Sequence, residues 1–320
     1  MCGAICLPAL VTSLLAGCGG ARTAAPVTIR SLTGPPLLIE PPPLVERQVI
    51  ARARTAALAT DVDNVYFGDL ARDELYAAPK RGGERIRIGD RAPLEIALGE
   101  RITWIGAPGN ILLAARPNGG SSVLIQTSGL FTDVASDSRD VLVTNAMEAS
   151  GVILRMTGST ASSVATLDVR PLELATDSMT AYVLSDRAIH AVRRTGGAPR
   201  VVLEGVSLAG LEVAGGFIFA TGMVGPSRAL LRISTSGGEP VVLERAVRRA
   251  PFSVFAEDVY FLDADQPELR RVAVLGGPSG FVARAPELAR VTELVVDASG
   301  IYLATEDEIG PVVLGLPRPP

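Results

Sequence analysis

Along most of the chain, short apolar runs alternate with clusters of Gly, Pro, Asn and Asp. Runs that short, bounded by turn residues, predict β-strands rather than helices. The stretch 58–88 shows the pattern most clearly. It reads Leu58-Ala59-Thr60-Asp61, then Val65-Tyr66-Phe67-Gly68-Asp69, then Leu75-Tyr76-Ala77-Ala78-Pro79, then Gly82-Gly83 and Arg85-Ile86-Arg87-Ile88. Four strands joined by three turns make an antiparallel meander. The unit returns about every 39 residues, which makes it the blade of a β-propeller.

Two landmarks fix the register. Double glycines fall at Gly82-Gly83, Gly119-Gly120, Gly196-Gly197, Gly237-Gly238 and Gly276-Gly277, with a degenerate copy at Thr157-Gly158-Ser159. An aliphatic residue stands seven positions before the first glycine of each clear pair: Leu75, Leu112, Ile189, Leu230 and Leu269. A two-residue hairpin turn needs φ > 0, so each pair predicts such a turn. The second landmark is Tyr66, Thr103, Leu142, Tyr182, Ile218, Tyr260 and Tyr302. Asp61, Asp137, Asp177 and Asp297 precede their landmark by five residues, which suits a turn between the first two strands.

Seven landmarks predict seven blades, with six and one decayed unit as the alternative. The last unit has strands at 293–296, 301–304 and 312–314 and stops near Gly315, short of its hairpin turn. Near the other end, 45–50 reads as an outer strand without a blade of its own. The two ends are therefore expected to share one sheet, which closes the ring.

Composition narrows the function classes. Aromatic residues make up only 4% of the 320, so the core is expected from Val, Leu, Ile and Ala. The formal net charge is −4, and no long basic run occurs, which argues against a nucleic-acid partner. Cys2, Cys6 and Cys18 are the only cysteines, so the body offers no disulfide, thiolate metal site or thiol nucleophile.

Residues 1–18 form an uncharged apolar run ending in small residues, the pattern of a secretory signal. Leu15-Ala16-Gly17-Cys18 resembles the bacterial lipobox. The resemblance implies cleavage before Cys18, lipidation of that cysteine and, with Gly19 rather than an aspartate following, an outer-membrane location in the cell envelope, on either its periplasmic or its surface side. Residues 19–44 carry Gly34-Pro35-Pro36 and Pro41-Pro42-Pro43, which predicts an extended linker. The propeller domain is expected over 45–320. Within it, 208–225 is strongly apolar, but its glycines and Glu212 keep strand register, so it predicts two buried strands rather than a membrane span.

Tyr66-Phe67-Gly68-Asp69 and Tyr260-Phe261-Leu262-Asp263 resemble the Tyr-Trp-Thr-Asp tetrapeptide of YWTD-type propeller repeats. With the double glycines, the chain from about 45 to 315 is similar to repeats of uncharacterised bacterial lipoproteins. YWTD domains have six blades, one fewer than the count here. Propellers host binding, scaffolding and several chemistries, so the likeness implies a fold and chooses no function.

Little in the sequence carries chemistry. His190 is the only histidine, which excludes histidine pairs and multi-histidine metal sites. It falls on a third strand and reads as structural. Trp104 stands where Phe67, Val143, Val183, Phe219, Phe261 and Leu303 stand, so it reads as packing. Acids gather between second and third strands, among them Asp69, Asp186, Asp263, Asp265 and Asp307, and arginines at the blade connections: Arg52, Arg54, Arg91, Arg170, Arg248, Arg249, Arg284 and Arg290. Both sets belong to one face of a propeller, making it a candidate recognition surface or a band of solvated loop charges. Asp263-x-Asp265 is also a candidate calcium pair. No Gly-x-Ser-x-Gly, phosphate-binding Gly-rich loop or His-Glu-x-x-His occurs.

The expected function is a lipid-anchored envelope propeller that binds a protein, peptide or glycan, with no catalytic residue, metal or cofactor assigned. The alternatives are a propeller lactonase or lyase with carboxylate-bound metal in the channel, and a structural scaffold of an envelope complex.

Overall fold

The computed structural model describes residues 30–31, 47–116, 120–137, 140–205 and 207–319. The expected signal 1–18 with Cys18 and, apart from 30–31, the linker 19–44 lie outside the described residues. From Gln48 to Leu316 the strands form seven antiparallel sheets in a ring. Blade 1 spans 58–90, blade 2 93–126, blade 3 130–167, blade 4 173–204, blade 5 209–245 and blade 6 247–284. Blade 7 takes Glu293–Val296, Ile301–Glu306 and Pro311–Leu316 from one end of the chain and Gln48–Ala51 from the other. Gln48 pairs Gly315, Val49 pairs Leu314 and Ala51 pairs Val313, all antiparallel. The ring closes as the repeat count requires, with seven sheets rather than six.

The first strand of each blade lies against the first strand of the next, all the way round, so these strands line the centre. Each of the seven gaps between neighbouring blades holds its own apolar cluster. The residue after each landmark anchors the packing: Phe67, Trp104, Val143, Val183, Phe219, Phe261 and Leu303 are at most 2% exposed. Burying a side chain of this kind contributes about 1.5–3 kcal/mol. Trp104 needs room, and Gly89 of blade 1 provides it, since a Cβ there would lie 2.6 Å from the indole. Where 208–225 was expected to give two strands, Ala209–Ala214 and Phe217–Val224 form.

The Asp-to-Tyr spacing has a direct cause. Asp61 Oδ1 accepts from the backbone N–H groups of Asp63 and Asn64 at 2.9 and 2.7 Å, and its Oδ2 accepts from the Tyr66 hydroxyl at 2.6 Å. Asp177 does the same with Met179, Thr180 and Tyr182. In blade 3 the landmark is Leu142, and Arg194 of blade 4 pairs with Asp137 at 2.5 Å instead. In blade 6 Phe255 stands where the aspartate would, and the fully buried Tyr260 hydroxyl has no partner.

The double glycines hold a different turn from the one expected. The connections 80–85, 194–199, 235–240 and 274–279 each have six residues, not two. In each the first glycine N–H donates to the last carbonyl of the third strand, as Gly82 does to Pro79 at 2.9 Å, and both glycines have positive φ. The degenerate copy is the tight one: only Gly158 and Ser159 separate Gly151–Thr157 from Thr160–Leu167. Beyond the ring, Arg30–Ser31 pairs in parallel with Val241 and Val242 on the outer edge of blade 5. Among the described residues no helix is long and apolar enough to cross a membrane.

Tyr182→Phe removes a donor from the half-buried Asp177 carboxylate, so it is expected to cost about 1 kcal/mol in denaturant unfolding. Tyr260→Phe removes a hydroxyl that has no partner, and stability is expected to hold or rise. A loss at Tyr260 equal to that at Tyr182 would contradict this reading of the landmark.

Candidate functional site

Because each blade runs inside to outside as a meander, the blade connections and the second-to-third loops emerge on one face. The candidate residues do lie there, but many of the charges are already paired. Arg52 makes a two-pronged pair with Asp307 at 3.0 and 2.9 Å, which pulls the Asp307 carboxyl down to about 2. Asp69 is 2% exposed and held by Arg72 and Arg85. Arg91 pairs with Asp73 at 3.0 Å, and the Ala92 N–H donates to the same carboxylate at 2.8 Å. Arg284 pairs with Glu268. The Arg52 and Arg91 pairs tie a loop to the connection beside it, and the Arg284 pair joins two strands of blade 6. Asp263 accepts from the N–H groups of Asp265 and Gln266 at 2.9 and 3.0 Å and faces Arg270. It caps a turn, and among the described residues no group of three His, Cys, Asp or Glu side chains is arranged to hold a metal ion.

Other candidates remain open to solvent. Arg54, Arg170, Asp186, Asp265 and Arg290 are exposed, with no ion-pair partner among the described residues. Burial lowers the Arg248 pKa, which Asp263 partly offsets. Arg249 sits close enough to act on both Glu173 of blade 4 and Arg228 of blade 5. A cavity of about 570 Å³ opens on this face, lined by residues from 127–130, from 145–148 and by Arg170.

The channel carries a feature the sequence reading did not pick out. Glu95, Asp133, Glu173, Glu212 and Glu293 all lie on first strands. A first strand has no neighbour on its channel side, so its N–H groups need other partners. Leu174 N–H donates to Asp133 at 2.6 Å, Gly210 N–H to Glu173 at 3.0 Å and Val254 N–H to Glu212 at 2.7 Å. Val296 N–H donates to the Ser253 hydroxyl at 3.2 Å. Each blade from 3 to 6 thus satisfies the inner edge of the blade that follows.

The same acids repel one another across the lumen. Asp133 of blade 3 acts on Glu293 of blade 7, and Glu173 of blade 4 on Glu95 of blade 2. Burial, then this repulsion, pushes Glu293 up to about 8 and Glu95 well above the usual carboxylate range. Burial pushes Glu212 up to about 8 and Asp133 up to about 7, against the backbone donors that hold them down. Glu173 is raised less, because two backbone N–H groups and Arg249 favour its ionised form. Only the position in the repeat could have flagged these residues: Asp133, Glu173 and Glu293 each stand nine before Leu142, Tyr182 and Tyr302. His190 is outside this ring, on the third strand of blade 4. It is half-buried, its Nε2 has no partner among the described residues, and burial lowers its pKa.

No protein-family model matches the chain, and no curated protein matches it. Solved structures do. Virginiamycin B lyase from Staphylococcus aureus superposes with a TM-score of 0.69 at 11% identity, covering 85% of this chain and 98% of that one. An oligogalacturonate lyase in complex with manganese gives 0.69 at 10%, covering 88% and 95%. YCF48 bound to D1 peptide gives 0.63 at 11%, covering 89% and 99%. At such identities the likeness is one of fold.

Acids with folded pKa values above their unfolded ones bind more protons in the folded state. Their contribution is full below about pH 4 and is lost as pH rises toward about 8. Asp61, Asp297 and Asp307 shift the other way and weaken the fold below about pH 4. Thermal scans are therefore expected to show the highest Tm near about pH 5 and a decline by about pH 9. Glu212→Gln keeps an acceptor for Val254 and removes the charge, so it should raise Tm by a few degrees at about pH 9 and little at about pH 5. An equal effect at both values would contradict the buried-charge account.

Proposed function

We propose that the chain is an exported, lipid-anchored propeller of the cell envelope that binds a protein, peptide or glycan on its loop-bearing face. One observation carries the reading. After the pairs within blades are formed, exposed arginines and aspartates without ion-pair partners among the described residues remain on that face, and one of them, Arg170, borders a cavity. Such a surface recognises polar partners without any group poised for covalent chemistry. A neighbour of the same fold holds a peptide, which shows that such a ring serves capture in another protein. Cys18 supplies the anchor, by its lipobox-like setting.

The channel favours a second reading. Carboxylates from five blades line it, although no three described acids are arranged to hold a metal ion, and two neighbours of the fold are lyases. Against it, three of the five acids hold backbone N–H groups of the next blade.

A photo-reactive residue placed at Arg54, Asp186 or Arg290 in envelope-bearing cells is expected to cross-link a discrete partner. The same residue at Val62 or Met179, exposed on the opposite face, is expected to give none. Equal labelling from both faces, or from neither, would contradict the binding reading. Metal analysis of purified protein showing stoichiometric metal that Glu95→Gln removes would favour the enzyme. Cys18→Ser is expected to shift the protein from the membrane to the soluble fraction; continued membrane retention would contradict the lipid anchor.

A further inference from the structure

We propose that the cavity between blades 2, 3 and 4 captures the C-terminal carboxylate of a peptide that ends in an aliphatic residue. The proposal rests on the binding role above and gives it a site and a ligand class. The cavity, about 570 Å³, falls within the ordinary range for small-ligand sites.

Its polar floor is unusual. Asn145 lies near the end of the second strand of blade 3 and is 6% exposed, yet its Nδ2 has no hydrogen-bond partner among the described residues. A buried amide donor left unpaired is costly, and an acceptor entering the cavity would relieve that cost. Gly129 packs directly against the amide: a Cβ there would stand 2.7 Å from Asn145 Oδ1 and 3.2 Å from its Nδ2. At the edge of the same cavity, Arg170 is exposed and has no ion pair among the described residues. A neutral amide donor beside a free guanidinium is a match for one carboxylate.

The remaining lining selects the rest of the ligand. Leu130 and Met147 are 46% and 48% exposed, offering apolar surface to a terminal side chain. Glu148, also exposed, repels a bare anion but accepts a peptide N–H. No lining residue is aromatic, so a sugar ring would find nothing to stack on. Acceptor, donor and apolar contacts in one cavity describe the end of a peptide, captured by its terminal carboxylate.

The probe is a library of random heptapeptides displayed with free C-termini and panned against the full-length protein. Selected sequences are expected to end in an aliphatic residue. Binding of synthetic copies, read by fluorescence polarisation, should fall at least about tenfold when the C-terminus is amidated, and again with Arg170→Glu. Arg170→Glu should leave Tm unchanged, since the side chain is exposed and unpaired. Gly129→Ala, which drives a methyl group against Asn145, should weaken binding without touching a charge. Peptides that bind equally well as amides and to Arg170→Glu would overturn this site while leaving a binding module in place. A library that yields no peptide would overturn the proposal outright, and the cross-linking from the two faces then decides the binding role separately.

Discussion

The structure depends on a sheet edge that has nowhere to go. A ring of meanders points the first strand of every blade at the centre, where no further strand can pair with it. Its N–H groups must find water or side chains, and in this chain side chains of the preceding blade supply several of them. Asp133 reaches into blade 4, Glu173 into blade 5, Glu212 into blade 6 and Ser253 into blade 7. These bonds run in one direction, from each of blades 3 to 6 to its successor. Gln48–Ala51 closes the ring by completing the sheet begun at Glu293.

That arrangement also limits what the centre can do. Five carboxylates around one lumen would ordinarily suggest a cation or an acid–base pair. Here three already accept backbone donors; burial raises the pKa of all three, and Glu173 adds repulsion at Asp133 and Glu212. Structural acids of this kind leave recognition to the periphery. On the loop-bearing face the same economy is visible: Arg52 with Asp307 and Arg91 with Asp73 each fasten a loop to a connection, and Arg284 with Glu268 joins the ends of two strands of blade 6. What remains unpaired, Arg170 above all, lies beside a cavity whose floor carries an unmet donor.

Much of this was legible in the sequence because propeller repeats write their turns in side chains. Asp61, Asp177 and Asp297 each precede a tyrosine by five because the carboxylate caps the turn, and in blades 1 and 4 it also holds the hydroxyl. Residues after the landmark read as packing because they point into the gaps between blades. The double glycines were read as tight hairpins since positive φ alone does not report loop length; six-residue connections need it as well. The channel acids were missed for a different reason. A lone Glu in a short strand looks like an outward position in a half-buried sheet, and nothing in period two separates lumen from solvent. The pairing of arginines with loop acids was equally hidden, because it joins residues such as 52 and 307 across the whole chain. Tyr260 is the instructive case: it keeps the landmark and loses its aspartate to Phe255, so the repeat holds its shape with one bond unmade.

The closed ring is tested most directly by hydrogen–deuterium exchange on the intact protein, comparing the amides of Gln48–Ala51 with those of Pro311–Leu316. If the two segments share one sheet, both should exchange slowly and lose protection together as denaturant is added, as parts of one cooperative unit. Free exchange at 48–51 alongside full protection at 311–316 would mean that the N-terminal strand does not complete the last blade, and the ring described here would not stand.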